Sequence, residues 1–278
     1  MTRRQSAVVS SNSPGPEPSG LAVWRDPPAA GPWNMAADEA LAHAAEQSGR
    51  VLMRLYGWRP DTVSLGGFQA FAETEQQPEL AGWPIVRRPS GGGAIVHGSD
   101  LTYCLALPAT HPWGRRPEDL YAAVHGALVE ELCHRGVAAS MVDAEVAATV
   151  ADDSFFCFDR RAFGDVVITA AMAGAVAGGC KVLGSAQRRL AGVVLQHGSL
   201  LLRRHPSMTG AGSHAGLAEI IGGTGGDSAA VVVHWLERLA ARLGGPLAEM
   251  AGVSWTADDP DLPRRVNRYA GAAWLRRR

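Results

Sequence analysis

Residues 85–107 read IVRRPSGGGAIVHGSDLTYCLAL. Ile85 and Val86 make a short β-branched entry, and Arg87 and Arg88 put two positive charges at its end. Ser90, Gly91, Gly92 and Gly93 follow. Three consecutive glycines let the backbone take positive φ and approach a ligand closely. Successive N–H groups in such a turn form an anion-binding concavity. From Leu101 the apolar residues alternate at Leu101, Tyr103, Leu105 and Leu107, and Pro108 follows; this predicts a half-buried strand. Taken alone, the glycine triplet favours a plain hairpin with solvated arginines.

A second stretch changes that balance. Residues 181–202 read KVLGSAQRRLAGVVLQHGSLLL. The pattern predicts a strand bearing Lys181, a small-residue turn at Gly184, Ser185 and Ala186 with Gln187 beside it, and a hairpin into a strand carrying His197 and Gly198. Each of the two Gly/Ser turns stands beside a cation and a histidine. They imply one pocket built from two sides, with Arg87, Arg88, Ser90, Gly91 to Gly93 and His97 on one and the Lys181–Gly198 segment on the other.

The chain has 278 residues, 46% hydrophobic and 19% charged, with a net charge of −1. These values fit one large globular domain, or a domain with a small appendage, with a sizeable core. The near-neutral balance gives no electrostatic case for nucleic acid or a membrane surface, and no apolar run is long enough to span a bilayer. The four cysteines, Cys104, Cys133, Cys157 and Cys180, are far apart and show no CxxC or metal-ligand spacing. Reduced thiols in a cytoplasmic protein are the natural reading. Residues 1–20, rich in Ser, Pro and Gly, read as a disordered tail, which leaves 21–278 as the folded unit.

Along that unit, Asn34 is placed to cap a helix through about Gln47. Val51–Tyr56 and Thr62–Leu65 read as strands joined by a Pro60–Asp61 turn. Arg54, Trp58 and Gln69 are candidates for the pocket or its rim, with ordinary sheet or loop contacts the simpler reading. Pro117 opens a helix that Gly136 stops, and Ser228 opens another that Gly244 ends. The closing run Arg276, Arg277, Arg278 reads as a solvated, frayed end.

Residues 151–161, ADDSFFCFDRR, place Cys157 among Phe155, Phe156 and Phe158. A cysteine in such company is commonly a small buried hydrophobe; a reactive thiol is the alternative.

Three blocks lie in order: WNMAADEAL with RLYGWRPDTVSLGGFQ, then RRPSGGGAIVHG, then KVLGSAQRRLAGVVLQHGSLLL. Together they resemble the lipoate–protein ligase and octanoyltransferase superfamily, the biotin/lipoate protein ligase type of catalytic domain. The resemblance implies an α/β (α+β) fold, a mixed sheet with flanking helices on one side, in which the strands of residues 51–65 begin the floor of an acyl pocket. Cys157-Phe158 matches the Cys-Phe that the Cys-dependent octanoyltransferases carry just before the Lys block and that the ATP-using ligases generally lack. The segment from Ala162 to Gly179 is longer than in that family, which bears on how near Cys157 comes to Lys181. Cys180 is the rival nucleophile by sequence. Neighbouring strand residues point to opposite faces, so Cys180 turns away if Lys181 faces the pocket.

The activity that the resemblance implies is an acyl transfer without cofactor. Octanoyl leaves an acyl carrier protein, rests on Cys157, and passes to a lysine of a lipoyl-accepting protein, the glycine cleavage H protein or a dehydrogenase E2 domain. A thiolate is the nucleophile such a step needs, and a neighbouring cation favours it; Lys181 is the candidate. Backbone N–H groups of either glycine turn are available for the oxyanion. His97 and His197 shape the pocket, shuttle protons, or are structural. The runner-up is an ATP- and Mg-dependent lipoate ligase working through an acyl-adenylate. A third reading is a non-catalytic homologue that binds acyl groups or a carrier protein, marked by a Cys157 and Lys181 too distant to cooperate.

Overall fold

The computed structural model describes residues 20–149, 154–168, 179–208, 214–222, 227–250 and 259–278. The proposed tail, apart from Gly20, and the AAMAGAVAGG insert, apart from Gly179, lie outside them.

The chain begins with β1 (Leu21–Arg25), α1 (Gly31–Ser48) and β2 (Leu52–Tyr56). Next come β3 (Thr62–Leu65), β4 (Ile85–Arg87), β5 (Ile95–His97) and the long β6 (Asp100–Pro108). After β6 stand α2 (Pro117–His134), β7 (Ala139–Met141), α3 (Ala144–Thr149) and β8 (Val166–Ile168). The hairpin β9 (Cys180–Arg189) and β10 (Val193–Leu201) precedes α4 (Leu217–Ile221), α5 (Ser228–Arg242) and β11 (Leu247–Met250). Helices α6 (Leu262–Ala270) and α7 (Ala272–Leu275) close the chain. Among the described residues no helix is long and apolar enough to cross a membrane.

Eight strands form a mixed sheet in the order β11-β1-β2-β6-β10-β9-β8-β7, and a second sheet has the order β4-β3-β5. The strands at 52–56 and 62–65 therefore do not share a sheet: β2 pairs with β1 and β6, while β3 pairs with β4 and β5. The acyl-pocket floor expected from that pair is instead the space between the two sheets.

Strand β6 is buried on both faces, not half-buried. Tyr103, Leu105 and Leu107 enter one core with α2, α4 and α5, and Cys104 and Ala106 enter another with α1 and Tyr269 of α6. Helices thus cover both faces of the large sheet, not one. Alternation along a strand reports only that successive side chains part; small Cys104 and Ala106 mark a covered second face as well as an open one. Each fully buried large side chain contributes about 1.5–3 kcal/mol, so this central strand anchors both cores.

Two helix starts differ from expectation. Asn34 lies inside α1, whose N-cap is Ala30 with Pro in the first turn; its amide instead donates to Ala29 O and Gly57 O. Asp227, not Ser228, caps α5 by accepting from Ala229 N. Gly136 and Gly244 have φ of 78° and 73°, the left-handed conformation that ends a helix.

The C-terminal arginines are not a frayed end. Arg276 stacks over Phe71, Arg277 over Trp274 and Arg278 over Phe68, and Phe71 N donates to Arg278 O.

Candidate active site

A cavity lies between the two sheets. Gly91, Gly92, Arg88 and His97 line one side, and Gly184, Ser185, Ala186, His197 and Gly198 the other, with Cys157 between them. Met35, Tyr56, Trp58 and Ile95 add an apolar wall, which suits a pocket that is mostly hydrophobic with a few polar groups.

The glycine loop and the cysteine loop are docked to each other. Ala94 N donates to Phe155 O, and Cys157 N donates to Ala94 O at 2.8 Å. A Cβ on Gly93 would lie 2.9 Å from Cys157 N, closer than packed atoms come, so only glycine admits the cysteine backbone here. Gly92 has φ of 92°, which a side chain would strain.

Cys157 stands over a buried ion pair. Lys181 Nζ is 3.6 Å from Cys157 Sγ, 3.0 Å from Cys157 O and 2.7 Å from Asp165 Oδ2. Burial works against the ammonium, but the Cys157 and Asp165 charges outweigh it and hold Lys181 above its ordinary pKa. The Phe158 ring lies 5.4 Å from Nζ. The long segment before Lys181 does not separate the pair. Ile168 and Cys180 are register partners in the β8–β9 hairpin, so the extra residues start and finish at one place. Cys180 packs against the other core, with Sγ directed to Ala215 O.

Gly184, Ser185 and Ala186 form no turn. Strand β9 runs through them, pairing with Ser199, Gly198 and His197 of β10. A register shift against β8 lets Lys181 and Gly184 approach: a Cβ on Gly184 would lie 2.6 Å from Lys181 Cε.

Arg88 and Arg87 part company. Arg88 Nη1 donates to Ser64 O and Ser64 Oγ, and Nη2 donates to Gly91 O and Gly93 O. It clamps the loop from inside the cavity. Burial lowers its pKa to about 10, so it stays charged at neutral pH. Arg87 does not line the cavity; it donates to Gly66 O, Gln69 O and Leu275 O, holding the C-terminal helix. Gln187 also lies outside, donating to Pro117 O and Gln196 Oε1.

Two histidine chains frame the cavity. His197 Nδ1 is 3.0 Å from Asp38 Oδ2, and its Nε2 bonds Ser90 Oγ. A carboxylate only accepts, so in the neutral ring Nδ1 carries the proton and Nε2 accepts from Ser90. Asp38 also accepts from Arg54 Nη1 and Tyr56 OH. His97 Nδ1 bonds Asp100 and Nε2 bonds Ser64 Oγ, while its ring stacks on Trp58 at 3.9 Å. Burial, opposed by Asp100, leaves His97 below its ordinary pKa. Arg54 sits beneath the cavity, paired with Asp26 and Asp38, and Gln69 ties Gly66 N to Phe155 O.

Sequence reading missed Asp165, Asp38, Asp100 and His125. Asp38 left a signal: it stands four residues after Asn34 on the apolar stripe of α1, so both are buried polar groups that need partners. Asp165 left none. His125 lies on the opposite face, its Nε2 bonding Ser185 Oγ and Nδ1 donating to Gly164 O, next to Asp165.

A family model described as the lipoyl protein ligase A/B catalytic domain matches residues 31–214. The octanoyltransferase LipM of Symbiobacterium thermophilum is 38% identical over 179 residues, 62% of this chain and 61% of that one. That of Bacillus subtilis is 32% identical over 178 residues, 61% of each. These alignments span about three fifths of the relatives' length. A bi-partite lipoate protein ligase of Thermoplasma acidophilum superposes with a TM-score of 0.66 at 17% identity, covering 93% of this chain and 96% of that one. Lipoate-protein ligase A bound with ATP gives 0.61 at 18%, covering 93% and 98%. At such identities the likeness is one of fold.

Proposed function

Since the chain belongs to the lipoyl protein ligase A/B catalytic-domain family, we propose that it is a Cys-dependent octanoyltransferase. It moves octanoyl from an acyl carrier protein, through a thioester on Cys157, to a lysine of a lipoyl-accepting protein. The observation that carries this reading is the Cys157 Sγ–Lys181 Nζ distance of 3.6 Å at the wall of an apolar cavity. The curated relatives named octanoyltransferase support it. A homologue without turnover would not need this contact.

In the first step the Cys157 thiolate attacks the octanoyl carbonyl, and the Lys181 ammonium balances its charge. The Gly91–Gly92 backbone and the Arg88 cation face the tetrahedral oxyanion. The bond to the carrier sulfur breaks, and that sulfur takes a proton from Lys181 and leaves as a thiol. The acceptor amine then attacks the thioester carbonyl. It loses its proton to the neutral Lys181 amine, and the bond to Sγ breaks, restoring thiolate and ammonium. Asp165 keeps Lys181 in place and compensates its charge through both steps. Ser90, His197 and Asp38 fix the cavity wall. The four free thiols fit a reducing, cytoplasmic setting.

The test compares two donors. Octanoyl-carrier protein without ATP should add an octanoyl group to the chain, read by intact mass, and deliver it to an acceptor domain. Octanoate with ATP and Mg should not. Acceptor octanoylation that needs ATP would move the protein to the ligase reading.

A further inference from the structure

A second groove adjoins the cavity, with Pro89, Arg188, Leu195, Arg268, Tyr269 and Trp274 in its walls. Its place is set by strand pairing. Ala186 and His197 are partners and line the cavity; Arg188 and Leu195 are the next partners on the same face and line the groove. Gly91 lines the cavity and Pro89 the groove. The Ser90–His197 hydrogen bond stands between the two spaces: Ser90 lies between Pro89 and Gly91, and His197 faces the cavity.

The groove is cationic. Arg188 donates to Pro89 O at 2.6 Å, which holds it across the glycine loop. Arg268 lies over the Tyr269 and Trp274 rings at 4.8 and 5.1 Å, and Arg277 lies 3.7 Å over Trp274. Glu39 is the acid in the groove wall, and it is shared by Arg265, Arg268 and Tyr269. Burial, then repulsion from Arg188, holds Arg277 below the usual guanidinium range; Arg268 and Arg278 add to that repulsion. Three guanidinium groups against one shared carboxylate leave a positive potential that an anion would relieve.

Resting on the transferase reading, we infer that this groove binds the phosphate ester at the far end of a phosphopantetheine thioester donor. The lengths agree. Gly184 packs against the Lys181 side chain that meets Cys157, and Arg188 stands four residues further along β9, about 13 Å at roughly 3.3 Å per residue. A pantetheine arm extends roughly 15 Å from sulfur to phosphorus, on backbone bond geometry like that of a peptide. With its thioester at Cys157, such an arm crosses Ser90 and His197 and puts its phosphate among the arginines. Arg binds phosphate through paired, charge-assisted hydrogen bonds.

The test uses two small donors, octanoyl-pantetheine and octanoyl-4′-phosphopantetheine, with acylation of Cys157 followed by mass. In the full chain the phosphorylated donor should be preferred roughly ten- to a hundredfold in kcat/KM. Arg188→Gln combined with Arg277→Gln should bring that ratio close to one, and Arg188→Lys should keep part of it. Equal rates for both donors in the unaltered chain would overturn the phosphate site and leave the transferase reading standing. A chain that octanoyl-carrier protein acylates but that accepts neither small donor overturns the phosphate site alone; one that octanoyl-carrier protein does not acylate either overturns the transferase reading as well.

Discussion

Asp165 Oδ2 and Lys181 Nζ meet at 2.7 Å with side chains 4% and 2% exposed. A buried pair of this kind is a weak source of stability, because desolvation offsets much of the Coulomb gain. Its value here is positional: it fixes the ammonium under Cys157.

Asp165→Asn should therefore cost more in acylation than in folding. Without the carboxylate, Lys181 loses one of the charges that raise its pKa, so the alkaline fall of the acylation rate should move to lower pH. The rate at neutral pH should also drop, by less than the roughly hundred- to ten-thousandfold that an acid–base group itself contributes. An unmoved profile would reduce Asp165 to a packing residue.

Cys157→Ser should abolish the octanoyl adduct, while Cys180→Ser should retain it, since the Cys180 thiol faces Ala215 O across the sheet. Lys181→Ala should slow acylation strongly, because it removes the ammonium 3.6 Å from Cys157 Sγ. Intact mass after exposure to octanoyl-carrier protein reads all three.

Gly93→Ala puts a methyl against backbone, 2.9 Å from Cys157 N and 3.0 Å from Phe155 O. The cysteine loop must shift, at a cost of about 1–3 kcal/mol. Acylation should fall while the far-ultraviolet circular dichroism stays that of the unaltered chain.

Burial, aided by Lys181 and opposed by the bond to Gly164 O, lowers the His125 pKa from 6.5 to about 4. The unfolded chain takes up this proton below pH 6.5 and the folded chain only near pH 4, so stability falls as pH drops through that window. The loss is on the order of 3 kcal/mol for this group. In His125→Gln the pH dependence of the urea midpoint between 6.5 and 4 should flatten.

Arg87→Ala removes donors to three carbonyls, Gly66, Gln69 and Leu275. At about 1–3 kcal/mol for an unsatisfied buried group, Tm should drop by several degrees. The KM for octanoyl-pantetheine, which has no phosphate to place in the groove beside Trp274, should stay as it was, because Arg87 lies outside the cavity. A raised KM with unchanged Tm would put it back in the pocket.

Local sequence determined much of this protein. Period-two and helical patterns marked β2, β3, β6, β9 and β10 and the three longest helices, α1, α2 and α5, and three ordered blocks carried the family. Cys157, Lys181 and the glycine loop were legible because each sits in a short, chemically unusual run. The aspartates were not, because an isolated Asp carries no mark of its distant partner. Tertiary structure alone decided which of two adjacent arginines enters the cavity. Arg87 and Arg88 have the same chemistry, and one step of strand parity sends them to opposite sides. That parity, like the approach of Lys181 to Cys157 across a long insert, is set by strand register. Register is a contest among long-range pairings and buried faces, which no stretch of a few residues contains.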